Sequence, residues 1–288
     1  MKKILYLLGI ITILVIACDK IEGPYYRDDS SIVIPPDVEF PPLDPSTVIR
    51  KILVEEYTGH YCTNCPLGHE ILERMVTDFG ENIVPVGIHA GTLASPRPGL
   101  YKYNFITETG ALLSTDFVVD GIPKAIINRT RFDGSWLVDK ELWPNRVTEL
   151  QSGFTDVYAG IQIVNKFDEG KNILNTYVKT TMLEDYDEEL QLSVFLLEDH
   201  VISPQKQPDN SNDTNYNHKH VLRLGVNGTY GSTLSSTGYL EKDSAYTVGY
   251  AIDFKDKDWN IRNTSIVAFL HNPVTREVLQ VETKKSIE

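Results

Sequence analysis

The chain has 288 residues, 41% of them hydrophobic, and a formal charge of −13 at neutral pH. That length and apolar content can bury substantial cores, after a leader and linker are set aside. The acidic balance argues against nucleic acid, which needs a basic footprint, and against peripheral attachment to anionic lipid heads.

Residues 1–18 read as an export leader. Lys2 and Lys3 precede an apolar run from Ile4 to Ala17 that only Tyr6, Gly9 and Thr12 interrupt. The run falls short of the roughly 20 residues a membrane span takes and fits a secretory signal. It closes on Val15-Ile16-Ala17-Cys18, which resembles a bacterial lipobox, with Cys18 as the lipidation site. An ordinary cleaved signal with an incidental cysteine is the alternative. Asp19-Lys20-Ile21-Glu22 resembles the sorting signal of some surface lipoproteins, or is simply a solvated tail. Residues 19–47 hold Pro24, Pro35, Pro36, Pro41, Pro42 and Pro45, the composition of a semi-rigid spacer.

Residues 48–154 alternate strand and helix signals. A β-branched run from Val48 to Tyr57 predicts a strand. Leu67, Ile71, Leu72, Met75 and Val76 share one face of a helix predicted from Pro66 to Phe79, which Gly80 ends. Asn82 to His89 predicts a buried strand, Ala90 to Phe117 a loop with some helix, and Gly121 to Asn128 a strand entered through Pro123. Trp136 to Gln151 predicts a closing helix. Such alternation implies an α/β layer with a parallel component. Residues 155–288 instead show short alternating runs: Tyr158 to Val164, Ile173 to Lys179, Leu190 to Leu197, Tyr246 to Ile252, Ser265 to Leu270 and Glu277 to Val281. Separated mostly by Asn, Asp, Gly and Pro turns, they predict an antiparallel, immunoglobulin-like β-sandwich.

The chemistry concentrates in Cys62-Thr63-Asn64-Cys65. A helix starting at this motif would expose free backbone N–H groups and the positive end of its dipole to Cys62, favouring the thiolate that attacks disulfides. Cys65, one turn on, is placed to resolve a mixed disulfide. Two alternatives stand beside exchange. One is a zinc site, for which His60 and His69 would have to supply two ligands. The other is a static disulfide of an exported protein. Pro123, downstream of the dithiol, resembles the cis proline of the thioredoxin fold, although a trans proline at a strand start is the plainer reading. Glu56 resembles the buried acid of that fold, or is a solvated strand carboxylate. Tyr61 takes the place of the tryptophan that commonly precedes the first cysteine.

The leader with Cys18, the stretch E-E-Y-T-G-H-Y-C-T-N-C-P, the stretch G-I-P-K-A-I-I-N-R and the ending H-N-P-V-T-R-E-V-L-Q-V together resemble the 28-kilodalton outer-membrane-protein family of Bacteroidetes lipoproteins. The resemblance implies a thioredoxin-like α/β domain followed by a β-sandwich, anchored in the outer membrane and facing the periplasm or the cell surface. It implies a surface binding or interaction protein with a protein or peptide partner, held to the membrane by its N-terminal lipid. The alternative is a thiol–disulfide oxidoreductase. In it Cys62 attacks, Cys65 resolves, Pro123 and Ile122 present the substrate beside Tyr61, and Glu56 moves protons. Thr-Asn between the cysteines departs from the Gly-Pro of ordinary thioredoxins.

Nothing else in the chain rises to a site. Asp253, Asp256, Asp258 and Asn260 miss the calcium-loop template, because Ile261 and Val267 stand where Gly and Glu are required. His218 and His220 read as surface histidines. No cofactor, metal or nucleic-acid partner is expected.

Overall fold

The seven residues of β1 (Ile52–Thr58) are buried without exception, two carboxylates included. Such a strand must be central, with both faces covered. The structure, a computed structural model, describes residues 31–235 and 238–287; the leader, Cys18 and the first part of the spacer lie outside it. β1 pairs parallel with β2 (Ile83–His89) and antiparallel with β3 (Lys124–Ile127), which pairs antiparallel with β4 (Leu137–Asp139). The right-handed crossover between parallel strands needs a helix. It is α1 (Cys65–Phe79), with Pro66 in its first turn and Gly80, at φ 57°, closing it. After α2 (Glu108–Asp116) and β4 comes α3 (Trp143–Gly153). α1 and α3 lay Leu72, Met75, Trp143 and Val147 on Ile52, Val54, Ala125 and Ile127. Leu113 and Phe117 cover Leu53, Tyr57, Val84 and Ile126 on the opposite face. The sheet order β2-β1-β3-β4 is the thioredoxin-like arrangement.

One predicted helix is divided. Leu137 and Val138 extend as β4 because β3 offers them an open edge, and helix begins only at Trp143, with Pro144 in its first turn.

The second half is β-rich as predicted. Its long strands are β5 (Ala159–Asp168), β6 (Ile173–Met182) and β7 (Gln191–Glu198). A hairpin excursion follows, holding β8 (Val201–Ile202), β9 (Gln205–Lys206), β10 (Asn212–Asp213) and β11 (Asn217–His218). Then come β12 (Val221–Gly225), β13 (Ser232–Thr233), β14 (Ala245–Asp253), β15 (Thr264–His271) and β16 (Val278–Lys285). β14-β6-β5 form one sheet. Its Leu174, Val178 and Tyr250 pack against Leu192, Leu196 and Ile266 of β7 and β15, making the sandwich.

The facing sheet does not stop at the sandwich. Among the described residues nine strands join it, eight of them in the order β16-β15-β7-β12-β2-β1-β3-β4. The joint is β12 beside β2, where the Gly87 N–H donates to His220 O at 2.7 Å. A Cβ on Gly87 would lie 3.2 Å from that oxygen, so glycine permits the approach. The later spacer is also fixed: Ile32 N–H donates to Gly249 O, Gln162 to Pro41 O, and Lys166 pairs with Asp37.

Candidate functional site

α1 starts at Cys65, so Cys62 lies in the turn just ahead of the helix rather than within it. The two cysteines form a disulfide with Cα atoms 5.4 Å apart. Ile122–Pro123 is a cis peptide, and the Ile122 carbonyl oxygen stands 3.8 Å from Cys62 Sγ. The chain thus brings Cys62, Cys65, Ile122 and Pro123 together from two segments about sixty residues apart. Cys62 is 3% exposed and Cys65 fully buried. Tyr61 is half-buried, sandwiched between the Arg97 guanidinium, 4.1 Å from its ring, and the edge-on ring of Tyr101.

Glu56 is 2% exposed, with Oε1 lacking any hydrogen-bond partner. It is therefore a buried acid and not a solvated strand carboxylate. Burial, reinforced by Glu73, pushes its pKa well above the usual carboxylate range. Gly68, one turn along α1 from Cys65, locates it: an added Cβ there would sit 3.0 Å from Glu56 Oε1 and 3.0 Å from Pro123 Cβ. The carboxyl lies under the first turn of α1, on the proline side. Its neighbour in sequence, Glu55, points to the opposite face. It accepts two hydrogen bonds from Arg129 at 2.7 and 2.9 Å, and both side chains are buried.

The sequence reading missed what covers this site. The excursion of β8 to β11 folds back from the second half onto the dithiol turn. Gln205 Nε2 donates to Cys62 O at 2.9 Å, and the Lys206 N–H donates to His60 O at 2.8 Å. Tyr216 OH and His69 Nδ1 are 2.7 Å apart, Thr58 Oγ1 and His69 Nε2 also 2.7 Å, and His69 Nε2 lies 3.6 Å from Glu56 Oε1. Burial pulls the His69 pKa down to about 4. No local motif marks Gln205 or Tyr216, because their partners lie more than a hundred residues earlier. His218 corrects an expectation: it is buried, not on the surface, because β11 tucks it beside His89 and Phe105. Its Nε2 faces Ser203 O at 3.2 Å; a carbonyl only accepts, so Nε2 carries the proton. Burial lowers its pKa to about 3.

His60 is fully buried, with Nε2 3.1 Å from Ser95 O, and is turned away from zinc chemistry with the dithiol. Among the described residues, no group of three or more His, Cys, Asp or Glu is arranged to hold a metal ion. The Asp253–Asn260 stretch is a turn, with Asp253 accepting from the Lys255 N–H and Asp258 from Tyr103 OH.

A parallel β1/β2 pair, a dithiol at the head of α1 and a cis proline facing it define a thioredoxin-like protein, here continued by a β-sandwich. A family model described as outer membrane protein Omp28 matches residues 111–288. The chain belongs to this outer-membrane-protein family. Two solved structures share the fold over most of the chain. HBP35 of Porphyromonas gingivalis, 17% identical, aligns over 82% of this chain and 75% of its own, at a TM-score of 0.64. A protein of Agrobacterium tumefaciens, 14% identical, aligns over 84% of this chain and 97% of its own, at 0.54. A domain of the outer membrane lipoprotein Omp28 from Porphyromonas gingivalis is 25% identical over 46% of this chain and 89% of its own. Its TM-score of 0.30 carries no structural argument. No curated protein matches by sequence. Among the described residues, no helix is long and apolar enough to cross a membrane.

Proposed function

We propose that this chain is an outer-membrane lipoprotein, anchored through Cys18, whose thioredoxin-like half exchanges disulfides with a protein or peptide substrate. One observation carries the exchange reading: Cys62 sits beside the cis-proline carbonyl of Ile122. In that position an extended peptide could pair with the backbone at Ile122 while its own sulfur meets Cys62. In the reaction, a substrate thiolate attacks Cys62 Sγ, the Cys62–Cys65 bond breaks, and its electron pair leaves on Cys65. A second substrate thiolate then displaces Cys62, so the substrate is oxidised and the protein reduced. Glu56 supplies or takes the proton at Cys65. The reverse sequence reduces a substrate disulfide.

Trapping tests this directly. A Cys65→Ser variant accumulates mixed disulfides on Cys62 with extracytoplasmic proteins, and a Cys62→Ser variant accumulates none. Absence of adducts from Cys65→Ser overturns exchange. The anchor is tested separately: labelled fatty acid enters the wild type and not Cys18→Ser.

A surface binding role is the second reading, favoured by the near-complete burial of Cys62 and by Gln205 clamping its carbonyl. There the disulfide is a staple and the sandwich makes the contact. A Cys62/Cys65 potential below about −300 mV, with partner binding retained after both cysteines become serine, supports it.

A further inference from the structure

The chain holds a second opening, on the face of β1 and β2 that α1 covers, about 500 Å³ in volume and lined by Glu56, His69, His89, Tyr216 and His218. Its walls carry an unusual density of buried polar atoms without partners: Glu56 Oε1, both ring nitrogens of His89, and His218 Nδ1. Buried polar atoms are seldom left unpaired, and a cavity of this size with such groups on its wall admits water, each molecule taking about 30 Å³. Glu56, 2% exposed beneath α1 and Pro123, forms part of the buried wall, with His69 beside it at 3.6 Å.

We propose that the cavity is the proton port of the dithiol, with His69 and Tyr216 passing protons between solvent and Glu56. This rests on the exchange reading, and deepens it. When the disulfide opens, Cys65 leaves as a thiolate and takes the proton of the Glu56 carboxyl. Glu56 is recharged from His69 Nε2, while His69 Nδ1 takes a proton from the Tyr216 hydroxyl and Tyr216 takes one from cavity water. One proton enters and one reaches sulfur; the imidazole is neutral before and after, its tautomer restored through the same water. The Tyr216–His69 contact is 2.7 Å, and His69 Nε2, held 2.7 Å from Thr58 Oγ1, must swing from that hydroxyl to close the 3.6 Å to Glu56 Oε1.

The surroundings keep the path neutral. His89 and His218 hold their pKa values low through burial, so neither places a cation on the wall near neutral pH. On α1, Glu73 bonds Lys219 and lies 3.4 Å from His220, leaving paired charge at the mouth. Glu70 and Arg74 complete the rim, away from the buried end.

The test follows the dithiol itself and needs no protein substrate. Oxidised protein is mixed with excess dithiothreitol, and new Cys62 and Cys65 thiols are counted by maleimide capture across a range of pH. His69→Gln slows the opening about tenfold or more, changes its pH profile and raises the solvent deuterium isotope effect; general acid–base help is typically worth at least that much. Tyr216→Phe does the same more weakly. Added imidazole, which fits the cavity vacated in His69→Ala, restores most of the rate. Wild-type rate and profile in His69→Gln overturn the relay. So does a slowed reaction with an unchanged profile and no imidazole rescue, the mark of a purely structural residue. The outcome is separable from exchange: a protein that traps no substrate yet shows the His69 effect keeps the relay and loses the proposed function, and the converse result does the reverse.

Discussion

Two neighbouring carboxylates divide the molecule. Glu55 and Glu56 are consecutive on the same central strand, equally hidden from water, and face opposite sides of the sheet. On one side Glu55 meets Arg129 in a two-pronged ion pair, each carboxylate oxygen accepting one hydrogen bond. On the other, Glu56 has an oxygen with no partner, a histidine just out of reach and a cavity beyond. Burial alone does not decide what an acid does. The first is committed to holding the fold, while burial raises the second's affinity for a proton.

That contrast can be broken most severely at Glu55. Glu55→Gln leaves the Arg129 charge buried and unneutralised, and the expected loss is about 3–5 kcal/mol in denaturant unfolding. Replacing both partners with apolar residues should recover most of it. Acid comes next. His69, His218 and His271 are neutral in the fold, with pKa values lowered by burial to about 4, 3 and 3. Their unfolded counterparts bind protons near pH 6.5. Below that pH the unfolded chain therefore binds more protons, and stability falls steadily as the pH drops from 6.5 towards 4. Urea midpoints measured across that window should decline, and His218→Gln should flatten the slope.

Gly68→Ala tests the crowding that joins Glu56, Pro123 and Trp143. The new methyl meets all three within 3.2 Å, for an expected cost of about 1–3 kcal/mol despite the gain in helix propensity. The smallest stability change is expected at Glu56. Glu56→Gln should leave the denaturation midpoint nearly unchanged in mild acid while slowing reaction of the dithiol. Because the folded-state pKa of Glu56 is raised, the wild type loses stability as pH rises from the unfolded carboxylate value of about 4.5. The glutamine variant should thus gain on the wild type with increasing pH.

Local signals carried the fold a long way. The dithiol, Pro123 and the buried strand around Glu56 announced the α/β half, because strand, helix cap and turn chemistry are written in neighbouring residues. The alternating runs announced the sandwich for the same reason. What escaped depended on distance along the chain. β12 is only five residues long, and its Arg223 is buried by pairing with Glu198, which breaks the expected alternation. Gln205, Tyr216 and His218 look like ordinary loop residues until β8 to β11 fold back over α1. Leu137 and Val138 took a strand conformation that only the edge of β3 could supply.

The unbroken sheet also governs how the molecule comes apart. Phe195 and Phe269 of the sandwich share an apolar layer with Leu53 and Val84 of the thioredoxin-like half, and β12 hydrogen-bonds β2 across the seam. Heating cannot melt one half without stripping cover from the other. Calorimetry should record a single cooperative peak, and a protease nick in the link at residues 154–158 should leave two fragments that still travel together.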